Sequence, residues 1–384
     1  MQLPFVYHRQ KLASSLVDGM AGVGIIDFSS GMFLTAPRRT GKSTFLKEDL
    51  IPACLSAGWE PVYVDLWSNR DADPSTLIES AIVSKLSDHE SQVTKLLKST
   101  GVSQVTVLRS VTWDLSTGKL PAGATLSDAL QLLSAATGRL VVLIVDEAQH
   151  ALNSNEGVNA MFALKAARDA LNQGGKRPGL RLVFTGSSRD KLAQLVLHTK
   201  QPFFGAEITP FPLLDRDFVE AYTKDLNAKL AETNHFDKED MYQAFCLVGH
   251  RPELLASIVR RVALEMGEAP NLGDLLERNA HEFQEELWID YRLTFEALPA
   301  LQKAVLQAMA EQSTAKLPFA PFKEDTLSII NGHLCQLDPK AKAPTATKIQ
   351  KALESLREKE IVWRSGRGAY ALEDGGMAEW LNRP

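Results

Sequence analysis

Residues 33–46, FLTAPRRTGKSTFL, run from an apolar lead through a proline, two arginines, a glycine, a lysine and a serine into an amphipathic stretch. A strand that enters a helix through such a loop is either an ordinary tight turn or a cradle for phosphate. The spacing matches G-x-x-x-x-G-K-[ST] as Ala36-x-x-x-x-Gly41-Lys42-Ser43. Gly41 lets the backbone approach an anion with no Cβ in the way. The free N–H groups at the start of the next helix, with its positive dipole end, point at that anion. Lys42 supplies a point charge for the β- and γ-phosphates of ATP, and Ser43 a hydroxyl for Mg²⁺. Pro37, Arg38, Arg39 and Thr40 within the loop, and Thr44 after it, are expected to complete the binding surface. Ala36 replaces the first glycine of the pattern, which is tolerable while its φ stays below zero.

A second signal supports the first. The apolar run VVLIV ends in Asp146 and Glu147. A buried strand beside the strand of the loop would carry Asp146 to the Mg²⁺, which it would hold through water, with Glu147 polarising the attacking water. Lys42, Asp146 and Glu147 are thus the expected catalytic set, and Ser43 and Asp146 the expected metal set. The plain alternative is that the two acids cap the following helix. FTGSS at 184–188 ends a further strand. Thr185, Ser187 or Ser188 either senses the γ-phosphate or caps the next helix. Arg189 is either a finger for a neighbouring subunit's transition state or a solvated helix residue. Arg251, between Gly249 and Pro252, is either a sensor arginine or a surface residue at a helix start.

Around these signals the chain alternates between strands and helices. PVYVDLW (61–67), LVVLIV (140–145) and LRLVF (180–184) are nearly all apolar, which indicates a parallel sheet covered on both faces. VTVLRSVTWDLSTG (105–118) alternates like a strand or hairpin. Beyond about residue 210 the patterns turn helical, and from 345 a helix is followed by a hairpin around Gly366 and Gly368 and a short closing helix. A length of 384 residues calls for two or three cores. The expected fold is therefore an α/β P-loop NTPase core with a parallel sheet at 1–210, a helical lid subdomain at 211–295 and a winged helix-turn-helix domain at 296–384. Hydrophobic residues make up 45% and charged residues 23%, ordinary for a soluble globular chain, and a net charge of −5 confines any nucleic-acid surface to a local patch. Cys54, Cys246 and Cys335 have no zinc-like spacing and are expected to be buried thiols in a reducing cytoplasm. The opening MQLPFVYHRQKL lacks the pattern of a secretion signal, and 140–145 is too short to cross a bilayer, so a cytoplasmic location without membrane contact is expected. His150 reads as a helix-start residue rather than a metal ligand, and Trp288 and Tyr291 as core or interface.

These residues together resemble AAA+-like ATPases of the STAND/archaeal-ATPase type, relatives of the origin-recognition ATPases. FVYHRQKLASSL (5–16), with Arg9 and Leu12, looks like the opening segment of that group; APRRTGKSTFL like its phosphate loop with paired arginines Arg38 and Arg39; LIVDEAQ like its acidic strand. GSS with the segment 201–222 resembles its sensor strand and core-to-lid connection, VGHRPELL its lid motif, and the C-terminal winged helix its ending. The resemblance spans nearly the whole chain. It implies nucleotide held between core and lid, with Arg9, Ser187 and Arg251 contributing to the site, and homo-oligomers in which one subunit completes the site of the next. Two features depart from the group: Ala36 in the loop, and Ala206 where an arginine often follows PFFG. No repeat array follows the winged helix, so the resemblance implies that a partner protein takes the sensing role.

Two rival functions draw on the same residues. DEAQH (146–150) superficially suggests a helicase, but a helicase needs a second α/β clamp, and 210–384 is helical and then winged. A DNA-binding regulator with a vestigial nucleotide site rests on the helix at 345–360, where Lys348, Lys351, Arg357 and Lys359 face Glu354, Glu358 and Glu360, with Arg364 and Arg367 at the wing. Four positive charges against three negative make a weak footprint. The alternative is that this domain packs on the core or binds protein.

Overall fold

The computed structural model describes residues 5–23, 27–69, 71–98, 113, 115, 118–173, 179–197, 201–265, 271–314, 319–366 and 368–383. Five parallel strands form one sheet: β1 (Met32–Thr35), β2 (Glu60–Asp65), β3 (Val141–Asp146), β4 (Leu180–Gly186) and β5 (Ile208–Pro210), in the order β2-β3-β4-β1-β5. The near-continuous apolar runs follow from burial on both faces. Along β3, Val141, Leu143 and Val145 join one hydrophobic core while Val142 and Ile144 join the other. β1 and β4 divide in the same period-two way: Phe33 with Leu182 and Phe184 on one side, Met32 and Leu34 with Val183 on the other.

α1 (Gln10–Ala21), α2 (Lys42–Phe45) and α3 (Ile51–Ser56) cover the second face. A π turn, Leu46–Leu50, joins α2 to α3. Pro52, in the first turn of α3, has no N–H for the carbonyl four residues earlier, which accounts for the widened turn before it. On the first face lie α4 (Pro74–Asp88), α5 (Glu90–Lys98), α6 (Leu126–Thr137) and α7 (Asn155–Asn172), with α8 (Arg189–Leu197) after β4. Asp73 caps α4, a Thr125–Asp128 capping box opens α6, and Ser154 caps α7.

α9 (Arg216–Asn227), α10 (Lys238–Leu247), α11 (Pro252–Glu265) and α12 (Leu272–Glu296) enclose a third core built on Phe218, Phe245, Ile258 and Leu276. α12 is long enough to serve two cores. Leu275, Leu276 and Ala280 belong to the third, and Tyr291 and Phe295 pack against a fourth. That fourth core unites α13 (Ala300–Thr314), α14 (Glu324–Leu337), α15 (Ala346–Glu358), the antiparallel hairpin β6 (Val362–Gly366) and β7 (Ala369–Leu372), and α16 (Gly375–Leu381). A bridge from Phe319 to Tyr370 adds a third short strand position. Helix, bridge, two helices and hairpin is the winged-helix order.

The winged helix docks on the sheet domain. Arg357 of α15 grips Asp190 of α8 through two hydrogen bonds of 2.7 and 3.1 Å, and the backbone N–H of Arg364 donates to the same carboxylate at 3.2 Å. Lys191 pairs with Glu360 at 2.6 Å, and Glu373 accepts from the backbone N–H of Arg189 at 2.7 Å.

Several sequence expectations need correction. β3 does not adjoin the loop strand β1: β4 lies between them. α1, α5, α14 and the three-residue β5 were not anticipated. The stretch 105–118, read as a strand or hairpin, lies outside the described residues apart from Trp113, Leu115 and Gly118. The three cysteines are not uniformly buried. Cys54 is, Cys246 is half-buried, and Cys335 is exposed. The buried stripe of α14 runs through Thr326, Ile330 and Leu334, and Cys335 falls one position beyond it, on the outer side.

Candidate functional site: the phosphate loop and the acidic strand end

The loop between β1 and α2 follows from its glycine and its contacts. Gly41 adopts φ 84° and Arg39 φ 67°, both left-handed. The Thr40 hydroxyl closes the turn on the Pro37 carbonyl at 2.8 Å, and the Ala36 N–H bonds the Gly186 carbonyl at 3.3 Å. Ala36 is buried. Lys42 heads α2, and its side chain reaches past β4 to the end of β3, so the intervening strand does not separate the two motifs.

There the ammonium of Lys42 donates to Asp146 Oδ1 at 2.6 Å, to Thr185 Oγ1 at 3.1 Å and to Glu147 Oε1 at 3.3 Å. Ser43 donates to Asp146 Oδ2 at 2.6 Å, as does Tyr63 at 3.1 Å. Thr185 donates to Asp146 Oδ1. Lys42 is 5% exposed and Asp146 fully buried. Burial alone would raise the Asp146 carboxyl; the Lys42 charge and the hydrogen bonds from Lys42, Ser43 and Thr185 outweigh it and bring it down to about 2. Glu147 is governed in the same way. Burial pushes up, while Lys42, Ser187 and Gln149 pull the carboxyl below its ordinary value.

Glu147 sits at φ 53° just past β3 and makes no side-chain cap to the 3₁₀ segment that follows; Ser154 caps α7 instead. Its Oε2 accepts from the Ser187 hydroxyl at 2.7 Å. A cavity of about 420 Å³ opens over this cluster, lined by residues 37–44, Glu147, Ser187, Pro252 and Glu253. A smaller, more apolar recess of about 130 Å³ adjoins it through Thr40, Gly41, Thr44 and Pro252, and is walled by Phe5, Tyr7, Arg9 and Phe218.

The loop residues expected at the site converge on one cavity, with Ser187 beside them and Ala36 behind. Arg38 donates to Ser187 Oγ at 3.4 Å and lies over the Trp67 ring. Arg39 pairs with Glu253 of α11 at 3.6 Å. Arg9 lines the smaller recess, its guanidinium 4.8 Å from the Phe211 centroid and donating to the Pro212 carbonyl at 2.7 Å. Arg251 does not line this cavity; paired with Asp374 at 2.8 Å, it lines an adjoining one of about 440 Å³ together with Pro37, Arg38, Arg39 and Ser187. The side chain of Arg189 lies over Trp363 of its own wing, 5.4 Å from the centroid. Of the three hydroxyls at the end of β4, Thr185 meets Lys42 and Asp146, and Ser187 meets Glu147. The sequence assigns no role to Tyr63 or Gln149: Tyr63 reads as one more residue of an apolar strand, and Gln149, although it stands in the DEAQ run two residues after Glu147, has a side chain whose partner, Ser187, lies far along the chain.

The fold has counterparts among solved structures. A Walker-type ATPase of Pyrococcus abyssi superposes with a TM-score of 0.56 at 16% identity, over 98% of this chain and 96% of that one. The Aeropyrum pernix ORC2 protein in its ADP form gives 0.58 at 14% identity, over 100% of this chain and 95% of that one. The same protein in its ADPNP–ADP complexes gives 0.53 at 14%, over 97% and 91%. No family model matches the chain, and no curated protein does. The chain therefore shares its fold with these solved structures, from the sheet domain through to the C-terminal helices.

Proposed function

We propose that the protein binds ATP with Mg²⁺ between the phosphate loop and the lid, hydrolyses it, and uses the difference between nucleotide states to drive self-association and the engagement of a protein or DNA partner. The observation that carries this reading is the convergence of Lys42, Ser43, Asp146 and Glu147 within hydrogen-bond reach under one cavity. Phosphoryl transfer demands positioned charge more than covalent chemistry, and such a cluster supplies it.

The residues fit a magnesium ion. Ser43 and Asp146 offer a hydroxyl and a carboxylate 2.6 Å apart, an all-oxygen pair suited to a hard dication that also takes phosphate and water ligands. Bound there, the ion would neutralise charge on the phosphate oxygens. Lys42 would exchange its bonds to Asp146 and Glu147 for the phosphates. Glu147, relieved of that ammonium, would take a proton from water as the water oxygen bonds to the γ-phosphorus and the bridging oxygen leaves with ADP. Ser187 and Arg38, hydrogen-bonded to each other beside the cavity, would meet the γ-phosphate. The apolar recess with Tyr7 and Phe218 would take the base, with Arg9 bracing its wall. Residues 1–210, 211–295 and 296–384 serve in this reading as core, lid and winged helix, an assignment supported by their separate hydrophobic cores.

The test is phosphate release from ATP and Mg²⁺, with Glu147→Gln as comparison. A loss of about 10²-fold or more in kcat with retained ATP binding supports the reading. A wild type that releases no phosphate contradicts it. Self-association is checked by the mass in solution with ATP against ADP; an unchanged mass removes that part.

A DNA-contacting winged helix is the second reading. Lys348 and Lys351 are exposed on α15. Arg357, a third basic residue of this helix, is committed to Asp190 instead, and Arg367 lies outside the described residues. A shift assay with Lys348→Ala/Lys351→Ala at increasing salt tests it: removing a lysine that meets a phosphate should flatten the salt dependence. Binding equal to wild type removes the reading.

A further inference from the structure

Gln149 is 2% exposed and stands in the first turn after the acidic strand. Its Nε2 donates to Glu147 Oε2 at 2.5 Å and to the Ser187 hydroxyl oxygen at 3.3 Å. The same Oε2 accepts from the Ser187 hydroxyl at 2.7 Å and from the Ser187 backbone N–H at 3.3 Å. The other carboxylate oxygen of Glu147, Oε1, faces the Lys42 ammonium at 3.3 Å. The two oxygens are therefore in different situations. One is tied by three hydrogen bonds to the turn and the end of β4; the other is paired with a cation that phosphate would draw away.

We infer that Gln149 is a positioning residue for Glu147: it anchors Oε2, so that Oε1 is the oxygen that takes the proton from water. The inference deepens the ATPase reading and rests on it. A base works best when a third group fixes its orientation, and a glutamate just past a strand end has rotatable bonds that packing alone does not fix. Gln149 does so here together with Ser187, bridging Glu147 and Ser187 from behind, while Ser187 and Arg38 line the cavity. The backbone makes room for it. A Cβ on Gly186 would come within 2.5 Å of the Gln149 Oε1 atom, so glycine at that position lets the amide lie flat against β4.

Three variants test the inference. Gln149→Met keeps length and removes the donor. Gln149→Glu keeps shape and sets an acceptor against an acceptor. Gly186→Ala leaves Gln149 in place chemically but pushes its amide. In steady-state ATP hydrolysis, kcat should fall about 10-fold or more for Gln149→Met and further for Gln149→Glu, with Gly186→Ala also impaired. KM, the affinity for a non-hydrolysable ATP analogue, and Tm should stay near wild type in Gln149→Met. If the wild type hydrolyses ATP and Gln149→Met matches it in kcat, the inference fails alone. It fails likewise if kcat falls only in step with a raised KM and a lowered Tm. A wild type that releases no phosphate overturns the ATPase reading and takes this inference with it.

Discussion

Lys42 is a buried cation whose charge is answered by Asp146, Glu147 and the Thr185 hydroxyl. Removing one member of a buried pair leaves the other desolvated and uncompensated, which typically costs about 3–5 kcal/mol. Lys42→Met is therefore expected to lower the Tm of the nucleotide-free protein by several degrees, in addition to its effect on nucleotide. An unchanged Tm without nucleotide would show that the Lys42–Asp146 pair contributes nothing to the folded state. At this scale the phosphate loop and the acid pair were legible because their chemistry needs fixed spacing along the chain. Tyr63 and Gln149 were not. Tyr63 reads as one more residue of an apolar strand, and only the pairing of β2 with β3 carries its hydroxyl to Asp146.

Among the elements, α14 shows why some of the fold escaped the sequence. EDTLSIINGHLCQL carries a serine, an asparagine, a glycine and a histidine, and its buried stripe has three positions, Thr326, Ile330 and Leu334. Its partners, chiefly α13, decide its state, not its own propensity. β5 is three residues long and ends in proline, too short for any periodicity; it forms because β1 offers an open edge. Gly332 has open space where a Cβ would stand and lies inside α14. Gly332→Ala should therefore stabilise the C-terminal domain by about 0.5–1 kcal/mol, seen as a raised Tm or denaturant midpoint. A destabilised variant would mean that the helix needs its glycine for a contact the free space does not reveal.

Over the whole molecule, the winged helix is joined to the sheet domain at the turn that follows the Ser187 strand end. Asp190 takes Arg357 and the Arg364 N–H, and Glu373 takes the Arg189 N–H. Any movement of Ser187 on nucleotide binding is thus one helical turn from the C-terminal domain. Burial raises the Glu373 carboxyl to about 7, against the opposing pull of the Arg189 N–H and guanidinium and with Asp190 adding to the rise. The folded-state value lies above the unfolded one, so the neutral form is favoured by folding. Its stabilisation is complete below the ordinary carboxyl range and is lost as pH climbs through about 7. Wild-type Tm should therefore drop between about pH 5 and 8 more steeply than that of Glu373→Gln, which stays neutral throughout; parallel curves would contradict this. The layered sheet and its two helical companions were legible from the alternation of patterns. Packing of the C-terminal domain on the core was one of the alternatives the sequence left open; the residues that make the contact were not legible, since Asp190, Arg357 and Glu373 lie far apart in sequence and have no common signature.

The central claim is that Lys42 and Asp146 together hold the phosphates and metal of a bound nucleotide, and calorimetric titration of ATP tests it most directly. Wild type should bind one ATP per chain, more tightly with Mg²⁺ than with chelator; Lys42→Met should lose binding, and Asp146→Asn should lose the Mg²⁺ enhancement. ATP that fails to bind the wild type, or that binds both variants as it binds the wild type, would contradict the account.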